Sequence, residues 1–140
     1  MRSMFKILRP DYKRKLILLI FPVVFFIQAC STAHVKESSY NESIQVEPDD
    51  SYEECVELVP NQLMHYAFTS SDKVNFNVHY HTAESILYPV NEKNITSWKG
   101  SMSPDDFDYY SRDQEFFCLM WDNHNSEIVK ITFNYDVYTK

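Results

Sequence analysis

The sequence predicts an all-β chain: a single antiparallel β-sandwich behind an exported leader. Three observations predict it. Lys73 to His81 alternates strictly, with Val74, Phe76, Val78 and Tyr80 on one face and Asn75, Asn77, His79 and His81 on the other. Val129, Ile131, Phe133, Tyr135 and Val137 repeat that period between polar neighbours. No window carries an apolar stripe at helical spacing, while aromatic residues make up 16% of the 140 residues and glycine occurs once. One compact core suits this length.

The chain opens on a targeting segment. Lys13-Arg14-Lys15 precedes an unbroken apolar run from Leu16 to Ile27, then Gln28-Ala29-Cys30-Ser31. A basic region, a short apolar stretch and a small residue before a cleavage point form a secretory signal over residues 1–29. The run is shorter than the roughly 20 residues a membrane-spanning helix needs, and Pro22 interrupts it. Ile27-Gln28-Ala29-Cys30 resembles the lipobox of bacterial lipoproteins. That resemblance implies a diacylglyceryl thioether on Cys30, which becomes the acylated first residue after cleavage. Three acyl chains, at about 0.8 kcal/mol per buried methylene, would hold the protein in a membrane through its lipid. Ser31 after the cysteine implies passage to the outer membrane, with the domain in the periplasm of a bacterial envelope.

Residues 30–50 are expected to form an acidic, flexible tether. Ser, Glu, Asn, Pro and Asp dominate it and no period emerges. Asn41-Glu42-Ser43 and Asn94-Ile95-Thr96 match the N-glycosylation pattern, which is usually idle in bacteria. Residues 51–140 hold the predicted sandwich. Glu54–Val59, Gln62–Thr69, Lys73–His81, Glu84–Val90, Glu115–Trp121 and Ile128–Tyr138 read as strands, broken by Pro60-Asn61, by Ser70-Ser71-Asp72 and by Pro89. Short strands at such intervals form sandwiches. The last would close the sheet, and Pro104-Asp105-Asp106 suits one helical turn.

Charge excludes a function class. The net charge is -7 overall. Beyond residue 29 the chain has seven basic against nineteen acidic residues, a net -12. Phosphate backbones are bound by clustered Lys and Arg, so nucleic acid is not an expected partner. One glycine leaves no phosphate-cradling loop, and no Gly-x-Ser-x-Gly occurs. No catalytic residues and no enzyme activity are expected.

With Cys30 committed to lipid, Cys55 and Cys118 remain, each within an apolar run. One disulfide is the natural use in an exported domain, metal ligation by either thiol the other. Closing that loop stabilises a fold by roughly 4 kcal/mol on the chain-entropy model.

Glu54-Cys55-Val56-Glu57-Leu58-Val59-Pro60, then Phe117-Cys118-Leu119-Met120-Trp121-Asp122-Asn123 and a long final strand, resemble the GOLD domain of eukaryotic early-secretory cargo receptors. The resemblance covers roughly Tyr52 to Tyr138. It implies a jelly-roll-like sandwich, a Cys55–Cys118 pairing, a matched Asn123, and use as an interaction module. The central stretch around Phe76–His81 and Tyr88-Pro89-Val90 also resembles uncharacterised bacterial exported proteins.

His79-Tyr80-His81 sets two imidazoles on one strand face, roughly 7 Å apart at their roots and able to converge on one ion. His65, His124, Asp122 and Asp136 are the candidates to complete such a site, which would suit Zn(II) or Cu(II). The other reading is a pair of histidines hydrogen-bonded to strand neighbours. Met120 stands before His124, the reverse of a blue-copper loop, and its parity with Cys118 suits core packing. Asp49-Asp50, Glu53-Glu54 and Asp105-Asp106-Asp108 read as solvated carboxylates. Trp98, Trp121 and the many Tyr and Phe read as core packing or as an aromatic binding face; Tyr109-Tyr110 and Phe116-Phe117 each place one ring on either side of a strand, so some aromatics are expected outside the core or at an interface. An exposed aromatic row beside acids would suit another envelope protein or a glycan.

Overall fold

The computed structural model describes residues 34–107 and 115–140. The signal segment, Cys30, Asp108, Tyr109 and Tyr110 lie outside the described residues. The described chain is all-β, with strands β1 (Val35–Val46), β2 (Ser51–Leu58), β3 (Gln62–His81), β4 (Ile86–Met102), β5 (Glu115–Asp122) and β6 (Val129–Thr139). Every pairing is antiparallel. Among the described residues no helix is long and apolar enough to cross a membrane.

The spine is β3. Its first half, Gln62 to Ser70, pairs with β6, and its second half, Asn75 to His79, pairs with β5. β1 extends the sheet beyond β6, β2 extends it beyond β5, and β4 follows β3 from Met64↔Met102 to His81↔Ile86. The register shifts between Thr69 and Val74. At this corner Ser70 Oγ donates to Asp72 O at 2.6 Å, and across it Asn94, at φ 55°, sends its N–H to Asn75 Oδ1 at 3.2 Å. Such irregularities increase local bend and twist. The sheet thereby curls on itself and its two halves pack face to face.

The core forms between the halves. Phe68 and Phe133 from one meet Phe76 and Trp121 from the other: Trp121 stands edge-on to Phe68 at 5.7 Å and tilted against Phe133 at 4.8 Å. Val74, Phe76, Val78 and Tyr80 are all buried here, as are Val129, Ile131, Phe133 and Val137. The alternation of β3 and β6 therefore fixes both core faces.

Asn123 ties the corner where β1 passes into β2. It is fully buried, and its Nδ2 donates to Val46 O (3.0 Å), Glu47 O (3.2 Å) and Glu127 O (2.9 Å). Its Oδ1 accepts from the Asn125 backbone N–H at 2.9 Å. At the opposite end, Ser103 caps the 3₁₀ turn Pro104–Asp106 in a capping box and donates to Gln62 O at 2.6 Å.

Several sequence expectations are corrected. The tether assigned to residues 30–50 contains β1, which pairs with β6 from Val35↔Thr139 to Val46↔Val129. An edge strand is held by backbone pairing and needs little apolar side chain, so its composition resembles coil. The segments 62–69 and 73–81 are one strand, because Ser70-Ser71-Asp72 makes a corner within it. β4 runs on to Met102, twelve residues beyond the predicted end at Val90. β6 lies between β1 and β3 and so does not close the sheet. Glu53 and Glu54 are not a pair: Glu54 accepts from Tyr135 Oη at 3.1 Å on the core side, while Glu53 reaches across the outer face.

Candidate interaction face

Side-chain alternation that buries Val56, Phe117, Leu119 and Val78 turns their neighbours outward. On the outer face of β2, β5, β3 and β4 the register aligns Cys55, Cys118 and His79 in one row, with Cys118 opposite both others. Glu57 and Phe116 form the next row, and His81 stands opposite Ile86. Cys55 and Cys118 form a disulfide with an S–S distance of 2.07 Å, which crosses directly from edge strand β2 to β5.

His79 departs from the expected exposed polar face. It is 4% exposed, with its ring 5.5 Å from Tyr88 and 5.3 Å from His81. Asn77 is buried beside it. The imidazole is fully engaged: Nδ1 lies 2.8 Å from Asn77 Oδ1 and Nε2 lies 2.9 Å from Glu53 Oε1. Burial holds its pKa below the ordinary histidine value; the Glu53 carboxylate opposes that shift and His81 adds to it. The ring thereby links β3 to β2 through Glu53. Period 2 places a side chain on a face but cannot tell that Glu53 and Tyr88 fold over it, so this burial was not legible.

The remaining metal candidates are dispersed. Asp136 pairs with Lys36 Nζ at 2.7 Å and accepts from Ser39 Oγ at 2.6 Å, and His65, opposite it on β3, packs edge-on to Tyr138 at 5.4 Å. These belong to the other half of the sheet from His79 and His81. Asp122 and His124 stand at the end of β5; burial raises the Asp122 carboxyl, and His124 opposes it. Met120, expected in the core, is half-buried on the outer face with Cys118. Asp105 is neutralised by Lys140 Nζ at 3.1 Å.

What the face offers is apolar surface. On this face Ile86 is 43% exposed, Tyr88 51% and Phe116 48%: Tyr88 packs on the buried His79, Ile86 stands opposite His81 and Phe116 opposite Glu57. Soluble surfaces scatter single apolar residues, whereas a grouped set rimmed by charge marks an interaction surface. Of the adjacent aromatic pairs expected to divide between the faces, Phe116 is exposed and Phe117 buried, while Tyr88 and Ile86 were not among the expected residues. Trp121 is buried and Trp98 half-buried, so both tryptophans serve packing. On the other half, a shallow depression of about 450 Å³ is lined by residues including His65, Ala67, Lys99 and Asn134, with no carboxylate and no cysteine in its lining.

No protein-family model and no curated protein sequence matches the chain. Among solved structures, a de novo designed double-stranded β-helix is similar over 69% of this chain and 97% of its own, at 14% identity and a TM-score of 0.34. The Yersinia pseudotuberculosis-derived mitogen is similar over 74% of this chain and 86% of its own, at 7% identity and a TM-score of 0.47. Likenesses at this level carry no function across.

Proposed function

We propose that this chain is a non-enzymatic lipoprotein of the bacterial envelope, held in the outer membrane by acyl chains on Cys30, whose sandwich docks a partner protein in the periplasm. The observation that carries the docking reading is the grouping of Ile86, Tyr88 and Phe116, each about half exposed, on one disulfide-braced sheet face. Aromatic anchors of this kind dominate binding energy when a partner covers them. Aliphatic Ile86 and half-buried Met120 on the same face favour a protein surface over a glycan. Glu53 and Glu57 on the same face, within a segment of net charge -12 beyond residue 29, favour a partner with a basic rim. The GOLD resemblance supports the same use of a sandwich as an interaction module.

The anchor is supported by Ile27-Gln28-Ala29-Cys30 after a basic and apolar leader. Labelling cells with radioactive palmitate tests it. The expected result is label on the wild-type chain that Cys30→Ala abolishes; undiminished label on Cys30→Ala overturns the anchor.

A further inference from the structure

Three groups of metal-ligand type converge on the outer face of β2 and β5, and a fourth, His79 on β3, contacts one of them. A Glu53 carboxylate oxygen and the sulfurs of Cys55 and Cys118 lie within 4.8 Å of one another. The Glu53 Oε1 is also 2.9 Å from His79 Nε2. We propose that reducing the Cys55–Cys118 disulfide turns this face into a zinc site with Cys55, Cys118, His79 and Glu53 as ligands. The disulfide and the metal are then alternative states of one site. The proposal goes beyond the docking reading and does not depend on it.

The chemistry balances with an external thiol or phosphine as reductant. Two electrons and two protons break the S–S bond to give two thiols while the reductant is oxidised. Each thiol then releases its proton to solvent as its thiolate ligates the ion. Two thiolates, an imidazole and a carboxylate are a Zn(II) donor set. Tetrahedral Zn(II), with Zn–S of about 2.3 Å and Zn–N or Zn–O of about 2.0–2.2 Å, needs donors roughly 3.3–3.8 Å apart. Reaching that spacing requires rotation of the freed sulfurs and of the exposed Glu53 side chain toward His79.

The surroundings suit ligation. Asn77 Oδ1 lies 2.8 Å from His79 Nδ1, leaving Nε2 turned to Glu53, one of the three clustered groups; metal-bound histidines commonly hold their second nitrogen in such a hydrogen bond. Cys118 on β5 and His79 on β3 stand opposite each other on directly paired strands, and rigid elements position ligands better than loops. Glu53 and Cys55 are exposed, which leaves the ion a path in.

The test uses the full chain with Cys30→Ala, so that Cys55 and Cys118 carry the only thiols. The chain is reduced with a phosphine, freed of reductant without air and titrated with Co(II), then Zn(II). The expected result is one equivalent of cobalt with thiolate-to-cobalt charge-transfer absorption, displaced by zinc, and no such absorption in the oxidised chain. His79→Gln and Glu53→Gln are each expected to weaken zinc binding at least about tenfold. Absence of cobalt binding by the reduced chain overturns the proposal, as does unchanged affinity in both variants. If reduction alone costs the strand signal in circular dichroism, its recovery on adding zinc supports the site and failure to recover overturns it.

Discussion

Tyr66 lies where a side chain at Gly100 would have to go. The two residues face each other across the β3–β4 ladder, and a Cβ built at Gly100 would fall 2.5 Å from the Tyr66 hydroxyl and 2.7 Å from its Cζ. Tyr66 is buried, so its ring has little room to yield. The chain's sole glycine is therefore a packing requirement, a ring laid over bare backbone. Gly100→Ala is expected to lower stability by about 1–3 kcal/mol. Adding Tyr66→Phe should recover only part of that loss, since the ring carbon still clashes; urea midpoints of the three variants measure both.

Asn123 should be among the least replaceable polar residues. Its amide serves three carbonyls from two connections, all in the buried corner between β1, β2 and β6. Asn123→Ala leaves those acceptors without this donor and is expected to cost about 1–3 kcal/mol. Asn123→Asp, which turns a carboxylate toward the same carbonyls, should cost more. Denaturant unfolding ranks the two, and an aspartate variant as stable as wild type contradicts the role.

The Cys55–Cys118 bond clamps edge strand β2 to β5 and closes a loop with a sequence separation of 63. Replacing both cysteines by serine is expected to lower stability by about 4 kcal/mol on the chain-entropy model. Reductant should destabilise the wild type and leave the double variant unchanged.

Acid should loosen the end of the sheet where β6 finishes. Lys140 donates to Asp105, and Lys36 donates to Asp136, so both carboxyls are held below the ordinary aspartate value. A depressed carboxyl contributes stability that is present above its unfolded pKa of about 3.9 and is lost as pH falls through the lower folded value. Asp122, raised by burial, acts with the opposite sign and above the unfolded value of about 3.9 instead of below it. Both pairs are exposed, so the effect is small. Lys140→Met and Lys36→Met should flatten the stability profile between about pH 2 and 4; an unchanged slope in the double variant contradicts the assignment.

The sequence carried the core better than the edges. Alternation in β3 and β6 named their buried residues because each has one face on the core. β1 escaped notice because Tyr40, Glu42, Ile44 and Val46 alternate inward with a carboxylate among them, and an edge strand satisfies its ladder through backbone alone. Ser70-Ser71-Asp72 has turn chemistry and does bend the chain, but the strand resumes on the far side because β4 bends with it. On the outer face, the pairing of two distant cysteines was legible from their number and setting. The contact of His79 with Glu53 was not, since it depends on β5 lying between β3 and β2, which no local pattern encodes.

The docking face is tested most directly by photocrosslinking in cells. A photoreactive residue is placed at Phe116 or Tyr88 and, as a control on the opposite half, at Thr132. The account predicts that positions 116 and 88 capture the same envelope protein, that Thr132 does not, and that Ile86→Glu abolishes capture while the fold is retained. Equal capture from all three positions, or capture of glycan alone, would contradict it.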